Sequence, residues 1–326
     1  MCKFFSIVSN LRQYLPGYDY LARHRRQRGN PYNTFHPTCQ ESTLSVATPE
    51  QYFSDFSAAL RYWRGKRGYS QLRLSTDSGI SQRHISFLES GRSQPSRELI
   101  LKLGVVLDIP LRERNVMLLA AGFAPAYQER KMDDPELHAV KQALDFMLAQ
   151  QAPYPALVVD RLWNLVMFND PAAGFMKWLL DMPPDAPIPR DGSVNVLKLM
   201  MAPDGVRQYV RNEQDVGADL LHWIQREAMS DGPGSEATAL LAELTALAGL
   251  DGAPPAPNLD RRALPFLPMQ ISKDGVELNL FTTITTLGTP HDVTVHELRL
   301  ESFFPADEAS AAWFRERGYL KHGLAA

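Results

Sequence analysis

The sequence predicts an α+β protein of two domains, an all-α N-terminal domain of five short helices followed by a domain built on an antiparallel sheet with helices. Its 326 residues, 44% hydrophobic and 22% charged, are enough for two separate cores. Apolar residues recur at helical spacing between capping residues up to Phe123, whereas alternating segments appear only beyond residue 153. The charge divides in the same way. Residues 1–115 hold 17 Lys and Arg against 9 Asp and Glu, while the remainder holds 17 against 28. The first third therefore suits a polyanion, although a solvated basic face is the commoner source of such a surplus.

Residues 1–48 (RHRRQRGNPYN, then FHPT) lack a sustained period and read as an irregular basic extension; a mis-assigned start and an arm that reaches DNA are the other readings left open. The helical domain is expected over 49–125. Thr48 and Gln51 form a capping-box pattern, after which Phe53, Phe56, Leu60 and Trp63 share one stripe and Arg61, Arg64, Lys66 and Arg67 fall largely off it. Ser70 caps a second helix that Gly79 ends in the left-handed conformation. Ser81 caps a third, ended by Gly91. Ser96 starts a fourth, with Leu99, Leu103, Val106 and Leu107 inward, and the fifth follows Pro110.

Residues 126–152 are expected to carry a linking helix, Pro135 to Gln150, and 153–320 the second domain. PALVVDRLWNLVMFN reads as two short strands that turn at Asp160-Arg161, and Asn169 caps the next helix. A helical middle (194–202, 204–230 and 235–250) runs to the loop DGAPPAPN at 251–258. The final stretch has three alternating segments separated by KDG and LGTPHD, then a helix from Ala306. Two strands, several helices and three strands describe a single antiparallel sheet with helices.

Several classes of function find no support. No apolar run approaches the roughly 20 residues of a membrane span, and FFSIV is too short for a signal-peptide core, so no membrane role is expected and the cytoplasm is the default. Cys2 and Cys39 are the two cysteines, too few for a disulfide framework or a cysteine zinc site. His291 and His296, expected on one strand, would point to opposite faces, so no metal site is expected. There is no phosphate-binding glycine loop, GxSxG or HExxH, and paired acids such as Asp133-Asp134 sit near helix starts where they complement the dipole. No catalytic residue is assigned and no enzyme is expected.

A helix that reads DNA must bury one side on its own domain and offer the other to base edges. The stretch SQRHISFLESGRSQPS has this division: Ile85 and Leu88 face inward, and Gln82, Arg83, His84 and Ser86 are left outside. Ser70-Gln71, Leu74-Ser75, Gly79-Ile80-Ser81, Ile85-Ser86, Leu88-Glu89, Gly91 and Pro95-Ser96, in this spacing, resemble the Cro/repressor-like helix-turn-helix of the XRE regulators over residues 55–110. Ser75 departs from the usual alanine and Ser78 from the usual apolar residue. The resemblance implies double-stranded operator DNA as partner, with Gln71 on a phosphate at a helix N-terminus. It also implies base contacts from Gln82, Arg83 and Ser86, backbone or base contacts from His84 and Ser81, and phosphate contacts from Arg92 and Ser93. Arg83 suits guanine and Gln82 adenine. Glu89 would repel DNA, and the resemblance pairs it inward with Arg64 as a structural element.

RHISFLESGRSQPS, LDIPLRERNVMLLAAGFAP and PYPALVVDRLWNLVMFN, in this order, resemble the regulators that carry a C-terminal MmyB-like ligand-binding domain, over residues 55–320; GTPHDVTVHELRLESFFPAD matches a branch of that family. The resemblance implies a PAS-like fold and a small apolar effector such as a fatty acid or acyl derivative; one helix reads only a few base pairs, so a homodimer is expected, and no resident cofactor is expected. The residues expected to line its site are Trp163, Leu165, Phe168, Phe175, Met176, Leu179, Phe281 and Ile284, although such residues at such spacings are more often plain core. Two other readings remain: a DNA-binding regulator whose C-terminal domain only dimerises or binds a protein partner, and an enzyme fused to a DNA-binding module. Operator sequence and the sense of regulation are not encoded in any feature of the chain.

Overall fold

A computed structural model describes residues 53, 55–232, 234–250, 267–288 and 291–317. The first helix, α1 (Phe56–Lys66), starts where Asp55 accepts a hydrogen bond from the Ala58 amide at 2.8 Å. The capping box expected at Thr48 and Gln51 lies outside the described residues, as do Cys2, Cys39 and the 251–258 loop. Phe53 precedes the helix, yet still packs its ring against Tyr62 at 5.3 Å. Helices α2 (Gln71–Ser78), α3 (Gln82–Glu89) and α4 (Arg97–Val106) are capped by Ser70, Ser81 and Ser96, each hydroxyl accepting from the amide three residues on. Gly79, at φ +67°, closes α2 in the left-handed region that other side chains avoid. Helix α5 (Leu111–Ala120) completes the domain. Leu60, Trp63, Leu74, Ile85, Leu88 and Leu103 form its core and are fully buried. On α4 the inward stripe is displaced from the expected one. Ile100 is fully buried beside Leu103 and Leu107, while Leu99 and Val106 are only half-buried, because α4 meets both α2 and α5.

The segment after Phe123 is tied down at both ends. Asn115 Oδ1 accepts from the amides of Ala126 and Tyr127, and the Gln128 carbonyl accepts from the Val293 amide at 2.8 Å. Helix α6 (His138–Gln151), which follows a short 3-10 turn at Pro135–Leu137, lies on the sheet. Its Leu144 and Leu148 are buried against Val158, Met167, Leu298 and Leu300.

The sheet contains β1 (Ala156–Val159), β2 (Leu165–Phe168), β3 (Leu267–Lys273), β4 (Val276–Thr286) and β5 (Arg299–Pro305), ordered β2-β1-β5-β4-β3 and antiparallel throughout. The last strand in sequence is thus the central one. One face receives α6. The other carries Leu157, Val159, Leu278, Leu280 and Phe303 into the main core. Over that core lie α7 (Asp170–Leu179), α8 (Val196–Met201), α9 (Glu213–Ser230) and α10 (Glu236–Leu247). Asn169 caps α7 from the Ala172 amide at 2.9 Å and also accepts from the Ala156 amide, joining helix to sheet.

Two expected elements change. The helix expected over 204–230 is interrupted: after a 3-10 turn at Val206–Tyr209, Val210 bridges to Ile271 of β3, and α9 starts at Glu213. The third C-terminal segment is not strand from its start. Asp292 caps a short helix, α11 (Val293–Glu297), so His296 sits on a helix and the shared strand expected for His291 and His296 is absent. The last helix, α12 (Glu308–Glu316), is capped by Asp307 and adds Trp313 and Phe314 to the core.

Candidate DNA-reading face and ligand core

Helix α3 divides its side chains sharply. Ile85 and Leu88 have no exposed surface, while Gln82, Arg83 and Arg92 stand in solvent and His84, Ser86 and Ser93 are half-buried. Arg83 lies across the Phe87 ring, its guanidinium carbon 5.3 Å from the centroid, which orients it along the exposed face without spending its hydrogen-bond donors. His84 Nε2 meets Ser93 Oγ at 3.4 Å, linking the helix to the loop that carries Arg92. Ser81 is committed to the cap, where it accepts from the His84 amide at 3.3 Å.

Glu89 is turned away from this face and is 4% exposed. Arg64 donates to both of its carboxylate oxygens, at 2.5 and 3.1 Å, and to the Tyr69 carbonyl at 2.7 Å. Arg61 donates to the Glu89 carbonyl. Gln71, expected on a phosphate, directs its side-chain amide to Glu89 Oε2 at 2.8 Å. A planar guanidinium and an amide thus satisfy a buried carboxylate that would otherwise oppose DNA.

In the second domain, Trp163, Leu165, Phe168, Phe175 and Leu179 lie together in the main core, with Met176 packed against it. Trp163 adopts φ +65° and stacks on Trp223 of α9 at 5.3 Å and 11° between planes. This backbone state is costly for an aromatic residue and is imposed by Asp160, whose Oδ1 accepts from the amides of Leu162 and Asn164. Two of the expected lining residues are placed elsewhere. Leu278, Leu280 and Thr282 of β4 point into the core, so Phe281 points to the opposite face and stacks on Phe304 at 5.2 Å. Ile284 is 37% exposed, near the end of its strand.

A cavity of about 370 Å³ opens instead among the helices, walled by Met200, Met201, Val210, Val216, Leu220 and Leu221, with Arg207, Glu213 and Gln214 also in its lining. Arg207 is held by Glu213 at 2.8 Å and by the Leu247 carbonyl at 3.1 Å. None of the residues expected from the sequence lines it. The apolar positions of α9, at helical spacing, were the available signal, but a core-facing helix gives the same pattern.

The far end of α9 meets the helical domain. The carbonyl of Asp231, the residue after α9, accepts from Lys66 and, at 3.3 Å, from Tyr62, both on α1. The Asp231 side chain pairs with Arg161, which also reaches Glu236 at 3.2 Å and Glu297 at 3.6 Å. Burial works against the Arg161 charge, but Asp231 and Glu297 outweigh it and raise its pKa. Glu113 of α5 is buried beside Gly232, and its pKa is raised by burial and then by Asp231. Lys66 is lowered chiefly by burial. Arg112 joins Glu129 at 2.6 Å and Glu297 at 2.9 Å. All these groups are on the side of α1 and α5, and none belongs to α3.

Among the described residues no cluster of His, Cys, Asp or Glu could hold a metal ion, and no helix is long and apolar enough to cross a membrane. A helix-turn-helix family model matches residues 60–114, and the model of the MmyB-like transcription regulator ligand binding domain matches residues 140–316. No curated protein matches the chain. With the second match spanning more than half of its length, the chain belongs to the family of transcription regulators that carry an MmyB-like ligand-binding domain.

Proposed function

We propose that the protein is a cytoplasmic, non-enzymatic regulator that binds operator DNA as a homodimer through α3 and whose C-terminal domain senses a small apolar molecule, such as a fatty acid or acyl derivative. The observation that carries this reading is the division of α3: apolar residues fully buried, the carboxylate neutralised inside, and Gln82, Arg83 and Ser86 on the side turned away from the core. We assign base contact to these three, phosphate contact to Arg92 and Ser93, and support to His84, with Gln71 both bracing Glu89 and facing the backbone. One short helix reads few base pairs, so two copies on half-sites about 34 Å apart are required for useful specificity.

The ligand reading is supported by the family and by the cavity beside α9. The five-stranded sheet with helices on its inner face suits the PAS-like fold expected for the domain. Because α9 runs from that cavity to the Asp231 junction, we assign it the coupling between effector and reading head. Gel-shift titration tests the first half: Arg83→Ala should reduce discrimination between operator and scrambled duplex by about 5- to 150-fold and leave scrambled-duplex affinity nearly unchanged. Unchanged discrimination would remove Arg83 from the reading face. Native mass spectrometry of freshly purified protein tests the second half through a co-purifying apolar adduct.

A further inference from the structure

Glu301 lies on β5, the central strand, and its side chain is 4% exposed. By register it stands directly opposite Leu157 of β1 and Ile284 of β4, and its strand neighbour on the same face is Phe303. It therefore faces the side of the sheet that holds the aromatic core, in the domain whose family binds a ligand. Among the described residues no cation pairs with it. Arg299, two residues earlier on that face, is occupied by Glu227 of α9. Among the described residues Thr282, 2% exposed, is the polar side chain that favours the ionised carboxyl, yet the Thr282 hydroxyl completes no hydrogen bond of normal geometry. A buried acid with no ion-pair partner, beside a buried hydroxyl that lacks a hydrogen bond of normal geometry, is costly to a fold and marks a place where a ligand supplies the missing partner.

We propose that Glu301, with Thr282, anchors the polar end of the effector, and that this end is a hydrogen-bond donor, an amine, amide or hydroxyl on an apolar body, in preference to a free carboxylate. The inference rests on the ligand-sensing reading above, takes an apolar amine, amide or alcohol in place of the free fatty acid named there, and sets its polar end at the sheet, since neither Glu301 nor Thr282 lines the cavity beside α9. The physical reason is charge: a second carboxylate beside Glu301 binds only if a proton is taken up to separate the two, whereas an ammonium or hydroxyl completes both groups without one. Burial pushes the Glu301 carboxyl up to about 7, against a smaller opposing effect of Thr282. From the elements around it, Leu157, Ile284, Phe303 and Thr282 are uncharged and Arg299 is neutralised by Glu227, so the carboxyl itself sets the pH response.

The test uses the full chain, freed of bound small molecules, titrated with decylamine, decanol and decanoate while tryptophan emission is followed. At pH 8 decylamine should bind at least tenfold more tightly than decanoate. Its affinity should rise as the pH is taken from 6 to 8, while that of decanoate falls. In Glu301→Gln, an isosteric and uncharged change, the amine preference should drop by about tenfold or more, with decanol binding within about threefold of wild type. Equal binding of amine and carboxylate by the wild type, or an amine preference that survives in Glu301→Gln, overturns the anchor while leaving ligand sensing intact. Binding by none of the three probes overturns the ligand-sensing reading and the anchor with it.

Discussion

In the N-terminal domain the groups offered for recognition stand in water on one short helix, whereas in the C-terminal domain the corresponding group, Glu301, is covered by a sheet and its core. The acids of the two domains make the contrast explicit. Glu89 is buried and answered by Arg64 and Gln71, so it serves the fold; Glu301 is buried and answered only in part by Thr282, so it is available to a ligand. Burial alone does not separate structural from functional polar groups. The completeness of their partners does.

Removing core packing should cost the protein most. Trp63 has no exposed surface, and Trp63→Ala should cost about 3–5 kcal/mol in chemical denaturation and abolish operator binding with it. A smaller and opposite effect is expected at Glu301. Its carboxyl rises from the ordinary 4.5 to about 7 on folding, so the folded state holds the proton more tightly and the stability this supplies is lost as pH climbs from about 4.5 through 7. Glu301→Gln should therefore stabilise the protein at pH 8 by about 3 kcal/mol, and leave it little changed at pH 4, in urea titrations at the two pH values. A destabilised variant at pH 8 would place Glu301 with Glu89 among the structural acids.

At the junction, Asp231→Asn weakens the pair with Arg161 while the Asp231 carbonyl that receives Lys66 and Tyr62 remains. We expect operator affinity to persist but its dependence on the effector, about 1–3 kcal/mol of coupling, to shrink, as measured by anisotropy with and without effector. The smallest effect on the fold is expected at Arg83. Its replacement by Ala, so costly to sequence discrimination, should shift stability by less than about 0.5 kcal/mol, because the side chain is exposed and its contact with Phe87 is weak.

The same contrast explains what could be read from the chain. Function on a solvated helix interrupts an apolar period with short polar residues, and caps such as Ser70, Ser81 and Ser96 lie three residues from the amides they bind. These are local signals. The second domain depends on what is distant in sequence. Glu301 in LRLESFFP looks like the wet side of an edge strand, and becomes buried because β5 is inserted between β1 and β4. The parity of β4, which sends Phe281 outward, is set by Leu278 and Leu280, and a list of aromatic residues misses it. The cavity along α9 repeats the pattern of an ordinary core helix. The contact of Lys66 with Asp231 joins residues 165 positions apart and leaves no trace in either segment.

On the proposed reading, the buried half of the protein controls the exposed half. Operator affinity, measured by fluorescence anisotropy on the full chain as purified and again after extraction of its apolar small molecules, tests this most directly. We expect the two affinities to differ by at least about fivefold, and the original value to return when the extract is added back. Identical affinities, with native mass spectrometry confirming that an adduct had been removed, would contradict the claim and leave the C-terminal domain a dimerisation or partner-binding module.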